Sequence, residues 1–399
     1  QVSFDPPERF VFLDTTAQVA TVLRLRLEAQ ADPFESLELD RLRFHLSGEP
    51  TGINALYELL FGHTHRVAVL PENGEAVFLA PDALKPVGFG PEEAVLPYPE
   101  NAHPAYRLLQ EFFTFPLKYH FIDLDNLGGH LTGQAVDLLI LLDRPPGPQV
   151  EVSPNTFRLG CTPIINLFSQ TTEPIRLDHT QTEYRLVPDM RRARTMEIHS
   201  VDRVSASLDP GDEAVVFEPY FSFNHRMGGE DHKTFWQLRR QETGRKDMPG
   251  TEVYLSLMDM NFNPSDPPVQ TVYAHTLCTN RNLAAQIPSG AALESESAAP
   301  LSRITCLGKP TMQMHPPLSG AALWRLISHL SLNYLSLSNG PDGLTALREI
   351  LRLYSFSDRP STEQLILGIR SLECQQVMGR IGQEAWQGFC QGTQITLEF

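Results

Sequence analysis

His63 and His65 stand two residues apart, so on a strand both imidazoles face one side and supply half of a zinc site. No third ligand lies nearby in sequence, and a solvated turn after a helix is the stronger reading. Asp123 and Asp125 likewise share one side of a strand end, the spacing a cation or an acid–base pair requires. Asn126-Leu-Gly-Gly129 follows at once and favours turn capping instead. Asp178-His179 with a distant serine would make a hydrolytic triad. Neighbours on a strand point to opposite faces, however, so His179 would need another orienting carboxylate. Gly228-Gly-Glu-Asp231, flanked by His225 and His232, is similar to the acidic turn of cyclic-dinucleotide synthases but has no partner residues in view and reads as a glycine turn. Gly308-Lys309 lacks the earlier glycine of a phosphate loop, and no G-x-S-x-G elbow occurs. Arg191-Arg-Ala-Arg194 is the one dense basic cluster; a solvated loop or an arginine surface meeting an acidic protein is favoured there over a phosphate site. Trp236, Trp324 and Trp386 are too scattered for a stacking platform. No catalytic, cofactor-binding or metal-ligating residue is therefore assigned.

The elements that would position these residues alternate over the first 143 positions. Leu23, Leu25 and Leu27 interleave with charged residues, as do Leu42, Phe44 and Leu46, which is the period of two of half-buried strands. A helix is expected over Gly52–Phe61, a hairpin over Arg66–Leu79 around Asn73-Gly74, and a second helix from Pro104 with an apolar stripe at Ala105, Leu108, Leu109, Phe112 and Phe113. Tyr119–Asp125 and Ala135–Leu142 read as strands. The latter is apolar on both faces except at Asp137, which predicts a central position in its sheet. Arg144-Pro-Pro-Gly-Pro148 can continue neither strand nor helix and marks a boundary.

Beyond it, Met196–Val204, Ala214–Phe217, Val253–Leu257 and Val272–Cys278 predict a β-rich middle, and residues 284–300 an exposed loop. Leu323, Ile327, Leu330, Tyr334 and Leu337 form a helical stripe expected to pack as core, followed by a second helix through Leu344, Leu347, Leu351 and Tyr354. After Pro360 strands are expected to return. The fold class is α+β: a mixed α/β first domain (1–148), a β-rich middle domain (149–310) and a helix-then-strand section (311–399).

Composition narrows the function. Hydrophobic residues make up 41% and charged residues 20%, the balance of a globular chain. With 32 basic against 48 acidic residues, the net charge of −16 argues against broad binding to nucleic acid or anionic membrane. The five cysteines are odd in number and never paired as C-x-x-C, which points to reduced cytosolic thiols. No apolar run is long enough to predict direct membrane insertion. The absent initiator Met and the end at Phe399 in mid-strand suggest a portion of a longer protein.

Longer irregular strings carry a resemblance. Pro154-Asn-Thr-Phe-Arg-Leu-Gly-Cys-Thr-Pro-Ile-Ile-Asn-Leu-Phe168, Glu173-Pro-Ile-Arg-Leu-Asp-His179, Glu197-Ile-His-Ser-Val-Asp-Arg-Val204, Val272-Tyr-Ala-His-Thr-Leu-Cys-Thr-Asn-Arg-Asn-Leu283, Lys309-Pro-Thr311 and Leu323–Leu335 occur in the order found in the TssF (VasA/ImpG) family of type VI secretion. The resemblance implies a non-enzymatic wedge subunit of the baseplate, without cofactor. It further implies pairing with TssG, contact with TssK and TssE, two copies per wedge, and wedges around a VgrG hub at the cytoplasmic face of the inner membrane. By the resemblance, an N-terminal helical region and a final C-terminal stretch of the family are expected to lie outside this sequence. The alternative is a soluble cytosolic enzyme, a hydrolase or metal-dependent, whose site is assembled from distant residues.

Overall fold

In a computed structural model the chain forms two compact units, Gln1–Ile164 and Ile165–Phe399, and the architecture is α+β. The structure describes all residues except 14–17, 73, 99–102, 178–179, 208–214, 221–233, 259–270, 298–300, 332–340, 356–359 and 381–387. Asn73, Asp178, His179, His225 and the Gly228–His232 segment lie outside the described residues.

The first unit contains strands β1 (Val2–Asp5), β2 (Thr21–Glu28), β3 (Leu42–Leu46), β4 (Thr64–Pro71), β5 (Val77–Phe78), β6 (Leu84–Pro86), β7 (Phe121–Leu124), β8 (Ala135–Leu142) and β9 (Phe157–Arg158). Helix α1 spans Pro50–Gly62 and α2 spans Pro104–Thr114. One sheet has the order β1-β2-β8-β4-β5 and a second the order β6-β7-β3-β9. Every residue of β8 is buried, and it lies centrally as its unbroken apolar run predicts. Val136, Leu138, Ile140 and Leu142 face the main core with Leu23, Leu25, Val67 and Val69, while Leu139 and Leu141 face a second cluster with Phe10, Val22 and Ala68. Asp137, its one charge, is matched by Arg24 at 2.6 Å from the neighbouring strand.

Helix α1 closes the main core. The Glu49 side chain accepts from the Gly52 amide and caps its start, and Ile53, Leu56, Leu59 and Leu60 turn inward. The predicted hairpin is present as the antiparallel pair β4–β5, with Val69 opposite Val77. After the proline-rich segment the chain folds back: Val150 and Val152 pack on the same core, and Phe157 of β9 pairs with Leu46.

Below β7, burial pushes the His120 imidazole down from 6.5 to about 4, with His45 nearby acting in the same direction. Between those values the unfolded chain takes up a proton that the folded chain refuses, so stability rises with pH. The contribution of neutral His120 is complete above about pH 6.5 and disappears as the pH falls through about 4. His120→Gln is therefore expected to flatten the fall of melting temperature across that interval. Parallel curves for variant and parent would contradict it.

The second unit opens with β10 (Phe168–Thr171), β11 (Ile175–Arg176), β12 (Tyr184–Arg185), β13 (Glu197–Ser207), β14 (Val215–Pro219), β15 (Phe235–Glu242), β16 (Thr251–Met258) and β17 (Thr271–Thr279). Among the described residues these form one sheet in the order β10-β17-β13-β14-β15-β16-β12, with β11 also on β17. Alternating residues, Ile198, Val204, Ala206, Val253, Leu255, Leu257, Val272, Ala274 and Cys278, build its core with Trp236. Two register shifts in β13, between Ile198 and Ser200 and between Val201 and Arg203, bend it against β17. The 284–300 region holds a short strand, β18 (Ala292–Leu293), paired with β19 (Ile304–Thr305).

Helices α3 (Gly320–Ser331), α4 (Pro341–Tyr354) and α5 (Pro360–Gly368) follow, then the antiparallel ribbon β20 (Ser371–Arg380) and β21 (Phe389–Glu398). Strands do not resume directly after Pro360, as the sequence reading expects. Pro360 opens a helix, a position where its missing amide is no loss, and Glu363 in the first turn pairs with Arg352 of α4.

Candidate functional site

Two buried charged nodes and one exposed apolar surface stand out, and none coincides with the sequence candidates for catalysis. In the second unit Glu197, at the start of β13, is buried. Its Oε1 accepts from the Thr251 amide at 2.8 Å and the Thr251 hydroxyl at 2.6 Å. Its Oε2 accepts from Arg281 Nη1 at 3.1 Å and Gln313 Nε2 at 2.9 Å. Arg281 donates further to the carbonyls of Met196 and Pro249. Burial lowers this guanidinium below its ordinary value and Glu197 opposes the shift. Asn166 Oδ1 accepts from the Asn280 backbone and side chain, so the loop before β10 joins the same junction.

Gly250 passes beside this pair with φ +128°, and a Cβ there would overlap Arg281 Nη1 and Glu197 Oε2. Strings far apart in the chain, around positions 251, 281 and 313, thus meet at the carboxylate of Glu197, and Asn166 ties in through the neighbouring Asn280. With its oxygens saturated by protein donors, the node acts as a structural junction. Sequence reasoning missed it; the available signal was a lone Glu and a lone Arg bordering apolar strand runs.

In the first unit the inner face of α2 is charged. Glu111 has 0% exposure, and Arg107 and Lys118 are buried beside it. Glu111 Oε2 pairs with Lys118 Nζ and with Arg107 Nη1, while Oε1 accepts from the amides of Val95 and Leu96. Arg107 also donates to the Gly90 carbonyl at 3.0 Å, so the helix clasps the 90–96 segment through polar groups. Burial first, then the Glu111 charge, pushes the Tyr119 phenol up to about 12. On the apolar stripe that the sequence reading places on this helix, Phe112 is exposed and clusters with Phe113 and Tyr119.

The sequence candidates Asp123, Asp125, His63 and Arg191–Arg194 occupy structural positions. Asp123 is no turn cap: it is a buried strand residue held by Arg43 Nε and Nη2, each at 2.7 Å, opposite Arg43 in the β3–β7 register. Asp125 pairs with Lys85 and Arg41, each at 3.0 Å. His63 caps α1 and meets Asp143 at 2.9 Å on the rim of an open cleft of about 580 Å³ lined by Gln18, Val19, Ala20 and Arg144. The Arg191–Arg194 cluster lies on an exposed turn started by Asp189, whose carboxylate accepts from the Arg191 and Arg192 amides. Among the described residues no group of three His, Cys, Asp or Glu side chains is placed to hold a metal ion, and no helix is long and apolar enough to cross a membrane.

The exposed surface is α3. Leu323 and Ile327, the two members of the expected core stripe whose side chains are described, are 52% and 54% exposed, as are the adjacent Trp324 (71%) and Leu326 (46%); Leu330, Tyr334 and Leu337 lie outside the described side chains. A 3.6-residue apolar period demands a covered face and is silent on whether the cover is the same chain. The ribbon, which packs on α4, repeats the pattern. Met378, Phe389, Ile395 and Leu397 share one of its faces and are exposed, and only Ile366, Ile369 and Leu372 are buried apolar side chains among the described residues after position 320.

The family described as "Type VI secretion system, TssF" matches residues 2–399. Over 397 residues the chain is 32% identical to the type VI secretion system component TssF1 of Pseudomonas aeruginosa, covering 94% of this chain and 64% of that protein. The chain therefore spans just under two thirds of the length of this curated relative. A cryo-electron microscopy structure of the type VI secretion system TssK-TssF-TssG baseplate subcomplex contains a chain with the same fold, at TM-score 0.74 and 23% identity over 99% of this chain and 70% of that one. A second structure, of the type VI baseplate complex, matches at TM-score 0.53 and 21% identity over 90% of this chain and 61% of its own. Order of motifs, length of match and fold agree, and the chain belongs to the TssF family of the type VI secretion system.

Proposed function

We propose that this chain is a non-catalytic wedge subunit of the type VI secretion baseplate that assembles with TssG and TssK, at the cytoplasmic face of the inner membrane. TssE, the VgrG hub and a second copy of the chain complete its partners in this reading. The observation that carries it is the set of exposed large apolar side chains on α3 (Leu323, Trp324, Leu326, Ile327) and on the ribbon (Met378, Phe389, Ile395, Leu397), two groups rather than scattered single residues. The family match and the presence of TssK and TssG beside TssF in the solved subcomplex support the choice of partners. The internal saturation of both charged nodes supports a structural rather than a catalytic role for their buried charges.

Trp324→Asp with Ile327→Asp, in the protein co-expressed with TssG, tests the reading. The isolated variant is expected to melt within about 2 °C of the parent, since both side chains are already exposed. TssG retention should fall by roughly thirtyfold or more, the scale of a lost interface hot spot. A collapsed melt of the isolated variant would mean the stripe is core after all, and full TssG retention would remove α3 from the interface. Native mass of the parent complex is expected to show more than one copy of this chain per TssG; equimolar subunits would remove the second copy.

A further inference from the structure

Two loops of the second unit gather positive charge on a chain of net charge −16. The 189–195 turn contributes Arg191, Arg192 and Arg194, and the 243–250 turn between β15 and β16 contributes Arg245 and Lys246, all exposed. They are joined by Asp247, whose Oδ2 meets Arg194 at 3.1 Å and Arg245 at 2.9 Å. Asp189 lies 4.0 Å from Arg192, and Glu173 accepts from the Met190 amide. Five cations thus face Asp247, Asp189 and Glu173, with Glu252 acting on Arg245, and among the described residues no carboxylate lies within ion-pair distance of Arg191 or Lys246.

The loops are held rigidly from beneath. Arg281, locked by Glu197, donates to Met196 O at the end of the first loop and to Pro249 O at the end of the second. Thr243 closes the second loop on itself through Met248 O at 2.6 Å, with Met248 buried as its anchor. Such pre-ordering lowers the entropy lost on binding. Met190, which directly precedes Arg191 in the first loop, is 69% exposed and offers an adaptable apolar contact.

We propose that these two loops form a docking surface for an acidic segment of a partner protein, whose carboxylates engage Arg191, Arg192 and Lys246 and whose apolar side chains cover Met190. Charge complementarity selects this occupant. Carboxylates interleaved among the arginines leave discrete cation positions, which suit spaced Asp and Glu side chains. The unbroken phosphate line of a nucleic acid would instead run over Asp247, Asp189 and the acidic remainder of the chain. The inference does not rest on the baseplate reading.

The test measures binding of a labelled synthetic peptide repeating Glu-Glu-Leu to the intact chain at low and at physiological salt. Binding is expected to weaken with salt, and Arg191→Glu with Lys246→Glu should weaken it by roughly tenfold or more, because two attractions become repulsions at rim positions. The melting temperature should be unchanged, since among the described residues neither side chain carries an ion pair. A control with the same change of net charge, Arg144→Glu with Arg370→Glu, should stay within about twofold of the parent. An equal loss in that control, or no loss in the loop variant, overturns the proposal. So does duplex DNA that outcompetes the peptide through the same residues, or self-association of the parent that the loop variant abolishes.

Discussion

Glu197→Ala is expected to lower the melting temperature of the second unit by roughly 6–20 °C. The substitution strands Arg281, the Thr251 hydroxyl and amide, and Gln313 in a site from which water is largely excluded. Removing one member of a buried pair costs about 3–5 kcal/mol, and each kcal/mol moves the melt of a domain of this size by about 2–4 °C. Glu197→Gln should fall between, because an amide oxygen still accepts from Thr251 while the charge opposite Arg281 is gone. Arg281→Leu should also be severe, leaving the Met196 and Pro249 carbonyls without their donor. Thermal unfolding followed by circular dichroism decides the matter. A shift below about 2 °C for Glu197→Ala would show that solvent reaches the node and compensates.

Glu111→Leu is expected to destabilise the first unit by a similar amount, about 3–5 kcal/mol, because Lys118 and Arg107 would remain buried without their shared counter-ion. It also frees the Val95 and Leu96 amides, so the 90–96 segment should become the first site of limited proteolysis. The companion experiment is the triple variant Glu111→Leu, Lys118→Met, Arg107→Leu. Replacing a whole buried ionic group by apolar side chains of similar volume is often neutral, so the triple variant should recover most of the loss in melting temperature. The protease sensitivity should persist, since the amides and the Gly90 carbonyl still lack partners. A triple variant no more stable than the single would show that the network is worth more than its apolar replacement.

Legibility followed the range of the forces involved. The alternation of β2 and β3, the two-faced burial of β8 and the presence of α1 were readable because each is set by neighbours within a few residues or by a face that must be dry. The inward face of α2 was not. Its apolar stripe obeys the helical period, yet Arg107 and Glu111 occupy the interior because Lys118 and two backbone amides, distant on that helix's own pattern, complete their coordination. Asp123 followed the same logic, since its role depends on Arg43 some eighty positions earlier.

Charge and composition set the class of molecule, and irregular strings kept in order set the family; both are properties of the one-dimensional chain. Whether the α3 stripe closes a core or stays open to a partner depends on what volume remains uncovered after the rest of the chain has packed, and periodicity holds no information on that volume. The junction at Glu197 likewise needed the tertiary fold. Hydrogen bonds act over about 3 Å, and only folding brings residues 251, 281 and 313 within that distance of one carboxylate.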